Sequence, residues 1–412
     1  MRSQLLIRPG PNDHRVIEDL LAPGGSGIFR GVRPVVDQLV VDATAVVYRP
    51  GLAAVAARAG IPFLVDPMTP FCQVALADDD RWAALPYGSA PAMSIGDLAT
   101  ASARDDLVTR VLSFEVDHGA SVVIPPYFYS RSPGDPWFDV SLDLLERTAR
   151  HMARSDVRLP LLPILCAQLH QFGSPDTWAA GIDRFVRIAG AAAAARVGLF
   201  LSPMGEADDT YGNVERLFAS ALRVRGTGIS VIAWGQGVYG PALVAAGLDG
   251  YETGIGMRER TDVAAALNRR RPRVVEPPRS RRTPQTIFLQ PLGRSLLLSV
   301  AEHLLDDLSM RAKLVCDDEF CCADGVQSMR RSRRQHTVRA RARYLAELDE
   351  MPMHDWRLYR ITRDARETVT LTLQANQVLA AAGHPQPLAH QAAEALAQVA
   401  DRLLEERLSL GA

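Results

Sequence analysis

Carboxylates and amides gather where short apolar runs of this chain end. Asp42, Asp66 and Glu252 close or follow such runs, as do Gln168 with His170, Ser202 through Glu206, and Gln236. Two carboxylates on one rim can divide labour, one attacking or stabilising a reacting carbon while the other moves a proton. Asp66 is followed by Pro-Met-Thr-Pro, which cannot continue a strand and turns the carboxylate either toward a pocket or into a loop cap. Glu252 stands in Tyr-Glu-Thr-Gly, where the plain alternative to a catalytic acid is an exposed loop residue.

A second constellation lies downstream. Cys316, Cys321 and Cys322, followed by His336, supply four N/S ligands, the number a closed tetrahedral zinc site requires. Two adjacent cysteines need an unusual turn to reach one ion, so buried unligated thiols are the alternative, while Cys72 and Cys166 stand apart and read as core residues. The run MRRSRRQHTVRARAR places Arg330, Arg334 and Arg341 on one helical face, which is either a solvated surface or a phosphate-binding rod. Gly235-Gln236-Gly237-Val238-Tyr239-Gly240 has the GxGxxG form of a dinucleotide site. Its helix is interrupted at once by Pro241 and the next acid arrives too soon, so tight turns are the better reading of these glycines. Tyr127, Tyr129, Trp234 and Tyr251 fall near the same rim and either sandwich a flat ring or simply pack.

The elements that must position these residues follow one rhythm. Apolar runs at 4–8, 37–43, 62–66, 121–127, 161–168, 197–202, 229–235 and 249–255 alternate with helical patterns near 14–21, 50–59, 96–118, 138–154, 176–195, 211–225, 241–247 and 261–268. Eight such units predict a parallel sheet closed into a (β/α)8 TIM barrel over 1–268, in preference to an open doubly wound sheet. An Arg/Pro-rich linker over 269–285 follows. Residues 286–350 then carry a strand near 286–292, a helix near 294–308, the cysteines and a basic helix over about 325–349. A C-terminal helical hairpin, read over 351–412, breaks at 383–387. The expected fold is therefore an α/β barrel with a zinc-binding, helical appendage.

Composition sets the outer bounds. With 412 residues and 47% hydrophobic content the chain can bury a large core, which excludes disorder. The formal charge of -1 gives no global pull toward nucleic acid or membrane, although arginines crowd into 269–282 and 330–343. No signal-peptide pattern opens the chain and no run is long and apolar enough to span a bilayer, so a cytoplasmic protein without membrane partners is expected.

Taken together these stretches resemble the tRNA-guanine transglycosylase superfamily, whose members exchange a nucleobase within RNA, and in some branches DNA, on a TIM barrel with a zinc subdomain. QLVVDATAVVYRPG followed by IPFLVDPMTPFCQV resembles the family's second strand and its Asp-Ser-Gly-Gly-Phe-Gln segment, which places Asp66 at the acid/base aspartate and Gln73 at the glutamine. ILCAQL resembles the base-binding strand at Gln168, and FLSPMGEA the strand ending in Val-Gly-Glu through Gly205 and Glu206. The 229–255 stretch resembles the Met-Gly-Val-Gly segment and the strand after it, with Glu252 at the nucleophilic aspartate and Gln236 beside the base; the cysteines and His336 resemble the zinc ligands. The chain departs from the pattern in carrying Glu for Asp at the nucleophile and Pro-Pro where the base-reading Asp would stand. The resemblance implies a glycosyltransferase with a structural Zn2+, acting on tRNA or DNA and a free purine-like base; the alanine and leucine spacing of the tail suits packing either on the barrel or on another subunit of a homodimer. The alternatives are a barrel hydrolase or lyase acting on a small molecule, and a non-catalytic nucleic-acid-binding relative.

Overall fold

A computed structural model describes residues 2–22, 28–29, 33–77, 80–169, 175–202, 210–256, 259, 262–270 and 284–410. Strands β1 (Gln4–Arg8), β4 (Gln38–Asp42), β5 (Phe63–Asp66), β6 (Ile164–Gln168), β7 (Arg196–Ser202), β8 (Ser230–Ala233) and β9 (Gly250–Gly254) form one parallel sheet in the order β5-β4-β1-β9-β8-β7-β6. A two-residue ribbon, β2 (Ile28–Phe29) with β3 (Arg33–Pro34), lies between β1 and β4 in sequence.

The eighth stave is the 121–130 stretch, and it closes the ring without qualifying as a strand. Single parallel bridges tie Val122 to Leu64 on one side, and Val123 to Leu161 and Ser130 to Ala167 on the other. Pro125 and Pro126 lack amide hydrogens, so the ladder is interrupted between those bridges. All eight runs read from the sequence thus become barrel staves, and the α/β TIM-barrel-like fold is observed. The strands are Val-, Ile- and Leu-rich on both faces because a parallel barrel buries both: Leu5, Leu6, Ile7, Leu39, Val40 and Val41 are all 0% exposed.

Outside the ring lie α1 (His14–Leu21), α2 (Ala43–Tyr48), α3 (Gly51–Ala59), α4 (Ala101–Asp117), α5 (Pro136–Arg154), α6 (Pro175–Ala191), α7 (Tyr211–Arg225), α8 (Gly240–Ala246) and α9 (Val263–Arg270). Helix α5 begins where Asp135 accepts from the Trp137 amide and Pro136 occupies the first turn, the start that a missing amide hydrogen suits. The residues of the expected linker, apart from 269–270 and 284–285, lie outside the described part of the chain.

The appendage differs from its expected form. Residues 286–297 make a hairpin, β10 (Thr286–Leu289) with β11 (Arg294–Leu297), where one strand and an early helix are expected; Gly293, at φ 64°, turns it. Next come α10 (Leu298–Asp306), α11 (Leu308–Leu314), the one-turn α12 (Glu319–Cys322), α13 (Val326–Arg331) and α14 (Arg333–Asp349), so the single basic helix is broken at Ser332. The tail forms α15 (His354–Ala381) and α16 (Gln391–Leu410), a helical hairpin within 351–412. This half is not a separate body: Val338, Ala342 and Leu345 of α14, Leu358 and Ile361 of α15, and Val399 and Leu403 of α16 join the barrel's own core. A second cluster centres on Leu289, Leu304, Met310, Met329 and Ala375. Among the described residues no helix is long and apolar enough to cross a membrane.

The glycine-rich turn at 235–240 serves packing. A Cβ on Gly237 would lie 2.1 Å from Thr253 Oγ1, and one on Gly240 2.3 Å from the Tyr251 ring, so these glycines seat α8 directly on β9. Gly240→Ala therefore forces the helix off the strand and is expected to cost about 1–3 kcal/mol, the range for overpacking a filled core. Urea unfolding measures this, and an unchanged midpoint would refute the close approach.

Candidate active site

Arg8, the last residue of β1, stands at the carboxyl end of the barrel and binds three carboxylates from three other strands. Its Nη1 donates to Asp42 Oδ1 at 2.5 Å, its Nη2 to Asp66 Oδ2 at 2.7 Å and its Nε to Glu252 Oε1 at 2.9 Å. The geometry follows from register: Asp42 and Asp66 are paired neighbours on β4 and β5, and β9 lies on the other side of β1. The Trp234 ring lies 5.5 Å from the guanidinium carbon. Burial works to lower the Arg8 pKa, but attraction to Glu252, Asp66 and Asp42 outweighs it and raises the pKa well above the usual value.

The three acids are not equivalent. Asp66, 0% exposed, accepts from Arg8, from Tyr127 Oη at 2.8 Å, from the Met68 amide at 3.0 Å and from Trp234 Nε1 at 3.3 Å. Glu252, 1% exposed, receives Arg8 on one oxygen and the Gly235 amide on the other at 2.7 Å. Burial raises the Glu252 pKa, and Arg8 with the Gly235 amide offsets only part of that rise. Burial likewise lifts the Tyr127 pKa, with Asp66 adding to it, so Tyr127 is a neutral donor. Asp42 is the acid with access to solvent, its side chain 19% exposed.

The expected pair, Asp66 and Glu252, is thus brought to one point, by an arginine that no local sequence feature distinguishes from the chain's other arginines. Glu252 is not placed as a nucleophile, because both its oxygens are engaged and it is sealed from solvent. Asp66 is likewise surrounded by donors rather than facing a pocket.

The other expected substrate contacts divide. Gln73 bonds backbone at both ends of its amide, donating to Tyr129 O at 3.0 Å and accepting from Tyr129 N at 2.8 Å, so it fastens the 121–130 stave. Gln236 is 2% exposed and donates to Leu201 O at 2.8 Å, which makes it scaffold. Ser202 accepts from the Val263 amide at the start of α9. Gly205, Glu206 and His170 lie outside the described residues. Gln168, at the end of β6, does face open space: with Gln73, Tyr129, Arg131, Trp137 and Asn268 it lines a cavity of about 590 Å³. A larger groove of about 770 Å³ runs beside the appendage, and among its charges Arg343 pairs with Asp317 and Arg360 with Asp364.

The arginines expected to hold nucleic-acid phosphates each pair with a carboxylate of the chain, Arg330 and Arg334 at the surface and Arg341 in the interior. Arg330 pairs with Asp306 at 2.8 Å and Arg334 with Asp13 at 2.9 Å. Arg341, 3% exposed, pairs with Glu259 at 2.9 Å, donates to Gly237 O and lies over the Phe288 ring. The apolar residues of α14 turn it toward the barrel, and the break at Ser332 puts Arg330 on α13, so the three arginines do not share one continuous helical face.

Cys316, Cys321, Cys322 and His336 do converge, their ligand atoms all within 4.8 Å of one another. The turn that the adjacent cysteines require is α12, capped by Asp318, whose carboxylate accepts from the Phe320 and Cys321 amides. Cys321 Sγ and Cys322 Sγ lie 3.3 and 3.4 Å from His336 Nδ1 and 3.7 Å from each other. These separations match the edges of about 3.4–3.8 Å of a tetrahedron with metal–ligand bonds of about 2.0–2.3 Å. His336 Nε2 sits 2.9 Å from Phe288 O, the outer hydrogen bond that leaves Nδ1 free to ligate. No cysteine is in a disulfide. The cluster can hold a metal ion.

No family model matches the chain, and no curated protein does. Solved structures align with it at low similarity. They include the YdjI aldolase from Escherichia coli K12, with 8% identity over 84% of this chain and 90% of that one, at a TM-score of 0.34. The carboxyl transferase domain of Rhizobium etli pyruvate carboxylase matches with 10% identity over 99% of this chain and 61% of that one, at 0.37. Dihydrodipicolinate synthase from Oceanobacillus iheyensis matches with 10% identity over 99% and 97%, at 0.31. These are aldolase-, carboxyltransferase- and synthase-type enzymes, not base-exchanging ones. The nucleobase-exchange reading is corrected on the site's own geometry: Glu252 is enclosed with both oxygens engaged, and the arginines expected on phosphates have partners within the protein.

Arg8→Met leaves three carboxylates around an apolar stem. Removing one partner of a buried charged network costs about 3–5 kcal/mol. The pH dependence has a defined sign. Glu252's pKa is already raised in the folded protein, so its contribution is fully present below the ordinary carboxylate range and is lost as pH rises through the raised value. Loss of Arg8 raises it further, so the variant's deficit should widen from pH 5 to pH 8. Chemical denaturation at both values tests this; a pH-independent deficit would contradict it.

Proposed function

We propose that this chain is a barrel enzyme of lyase or hydrolase type acting on a small molecule, with its chemistry at the carboxyl-end cluster around Arg8. The observation that carries the reading is the convergence of Arg8, Asp42, Asp66 and Glu252 from four strands on the barrel face where such enzymes place their active sites. An arrangement needed only for stability would be better served by apolar side chains, since a buried ionic network seldom stabilises more than its apolar replacement.

Asp42 is the group that exchanges a proton with the substrate, because it alone of the three acids reaches solvent. Arg8 holds Asp42 in place, and Asp66 and Glu252, each held by further donors, keep Arg8 from swinging toward solvent. Tyr127 and Trp234 complete the wall around Asp66. Asp42→Asn keeps the hydrogen-bonding shape and removes the proton acceptor. Incubated with a fractionated extract of small metabolites, the natural protein should deplete at least one compound, and the Asn variant should do so at least about 100-fold more slowly while circular dichroism shows it folded. An extract left intact by the natural protein, or turned over equally by the variant, would sink the proposal.

The metal is proposed to be zinc, held by Cys316, Cys321, Cys322 and His336 in a closed structural site. All four positions are protein ligands, and the ion would fasten α12 to α14 and, through Phe288, to the hairpin. Elemental analysis should find one zinc per chain, and Cys321→Ser should abolish it and make the 286–350 region sensitive to protease. Full retention of the metal in that variant would remove these residues as its ligands.

A further inference from the structure

The cavity at the end of β6 shares no lining residue with the Arg8 cluster and has a composition of its own. Tyr129 is 7% exposed, yet its hydroxyl has no hydrogen-bond partner among the described residues. A buried orphan hydroxyl costs about 1–3 kcal/mol, and Tyr129 is one of the residues that line the 590 Å³ cavity. Burial raises its pKa, with Cys166 and Asp262 adding to the rise, so it stands as a neutral donor.

Beside it in the same wall is Arg131. Its backbone amide is used by Asp135, but among the described residues no carboxylate forms an ion pair with its guanidinium. The nearby acids are engaged elsewhere. Asp135 accepts from the amides of Trp137 and Arg131 at the start of α5, and Asp262 accepts from the Ala265 amide at the start of α9. Each faces the positive end of a helix, which offsets its charge. The wall then presents a ligand with the Arg131 guanidinium, the Tyr129 side chain, the amides of Gln168 and Asn268 and the flat indole of Trp137, with the Asp135 carboxylate also in the wall but bound by the Arg131 and Trp137 amides.

We infer that this cavity is the binding site for the oxyanion of the substrate: a small molecule whose carboxylate or phosphate is taken by Arg131 and the Tyr129 hydroxyl, with its apolar part against Trp137. The inference rests on the reading of the carboxyl-end face as the substrate side, and it adds the chemical class. A planar carboxylate matches a guanidinium fork bidentately, and the tyrosine hydroxyl adds a third, charge-assisted hydrogen bond.

Benzoate, phenyl phosphate and the neutral isostere benzamide serve as probes, titrated against the full chain by saturation-transfer NMR with tryptophan fluorescence in parallel. At least one anion should bind at least tenfold more tightly than benzamide. Benzoate above phenyl phosphate identifies a carboxylate site, and the reverse order a phosphate site. Arg131→Met should erase the preference for the anion, and Tyr129→Phe should weaken anion binding severalfold. Because Tyr129→Phe deletes an unpartnered buried hydroxyl, its melting temperature should hold or rise, which separates lost binding from lost folding. Equal binding of benzamide and the anions, no anion binding at all, or anion binding indifferent to both variants would overturn the inference. Asp42→Asn should leave anion binding intact. Anion binding without turnover of any compound would therefore fail the enzyme reading alone, whereas turnover without anion binding would fail the oxyanion site alone.

Discussion

The arrangement of the barrel's carboxyl end depends on one guanidinium. Arg8 carries five donors in a fixed plane, and three of its nitrogens meet acids from three different strands. That plane fixes how β1, β4, β5 and β9 stand relative to one another at their ends, where strand hydrogen bonding gives out. Its charge makes it possible for Asp66 and Glu252 to be buried near each other. The cost of desolvating these groups is several kcal/mol per ion, and the further donors to Asp66 and Glu252 are the structural means by which it is offset. The site's chemistry then follows from unequal access: two acids are enclosed and one is left at the edge.

Closure of the ring is the second constraint. The 121–130 stave carries two prolines and forms only isolated bridges, so side chains do what the ladder does elsewhere. Thr69 donates to Tyr127 O and accepts from Tyr127 N, and Gln73 does the same for Tyr129. The 3-10 turn after Asp66 therefore holds the weak stave in place, and Tyr127 and Tyr129 face the site from a segment secured by these contacts. Met68, at φ 44°, is bent into the left-handed region at the head of this turn, and its amide is bound by Asp66. A single acid thus links the strained turn, the stave and the arginine hub.

The appendage braces the barrel from outside. Arg341 reaches from α14 to Glu259 and the Gly237 carbonyl, and Asp349 at the end of the same helix accepts from the Ser3 amide and hydroxyl where β1 begins. The Cys/His cluster sits on the far side of this helix's first turns. Its His336 connects through Phe288 to the hairpin, and the Phe288 ring lies against Arg341. Metal cluster, hairpin and barrel are consequently joined through contiguous contacts.

The sequence by itself determined the parts that depend on local periodicity and composition. The eight apolar runs, the helices between them and the tail hairpin are written in spacing that needs no partner to be read, and the cysteines and histidine declare their chemistry by residue type. It also marked Asp66 and Glu252 as a pair. What only the tertiary structure decided is direction and access. Arg8 carries no local mark that distinguishes it from the other arginines of an arginine-rich chain, and it becomes the hub because three strands distant in sequence deliver acids to it. The same holds in reverse for Arg341, Gln73 and Gln236, whose polar side chains look available in sequence and are consumed by backbone or buried charge in the fold. A buried polar group must find its partners wherever the chain brings them, and those partners lie tens to hundreds of residues away.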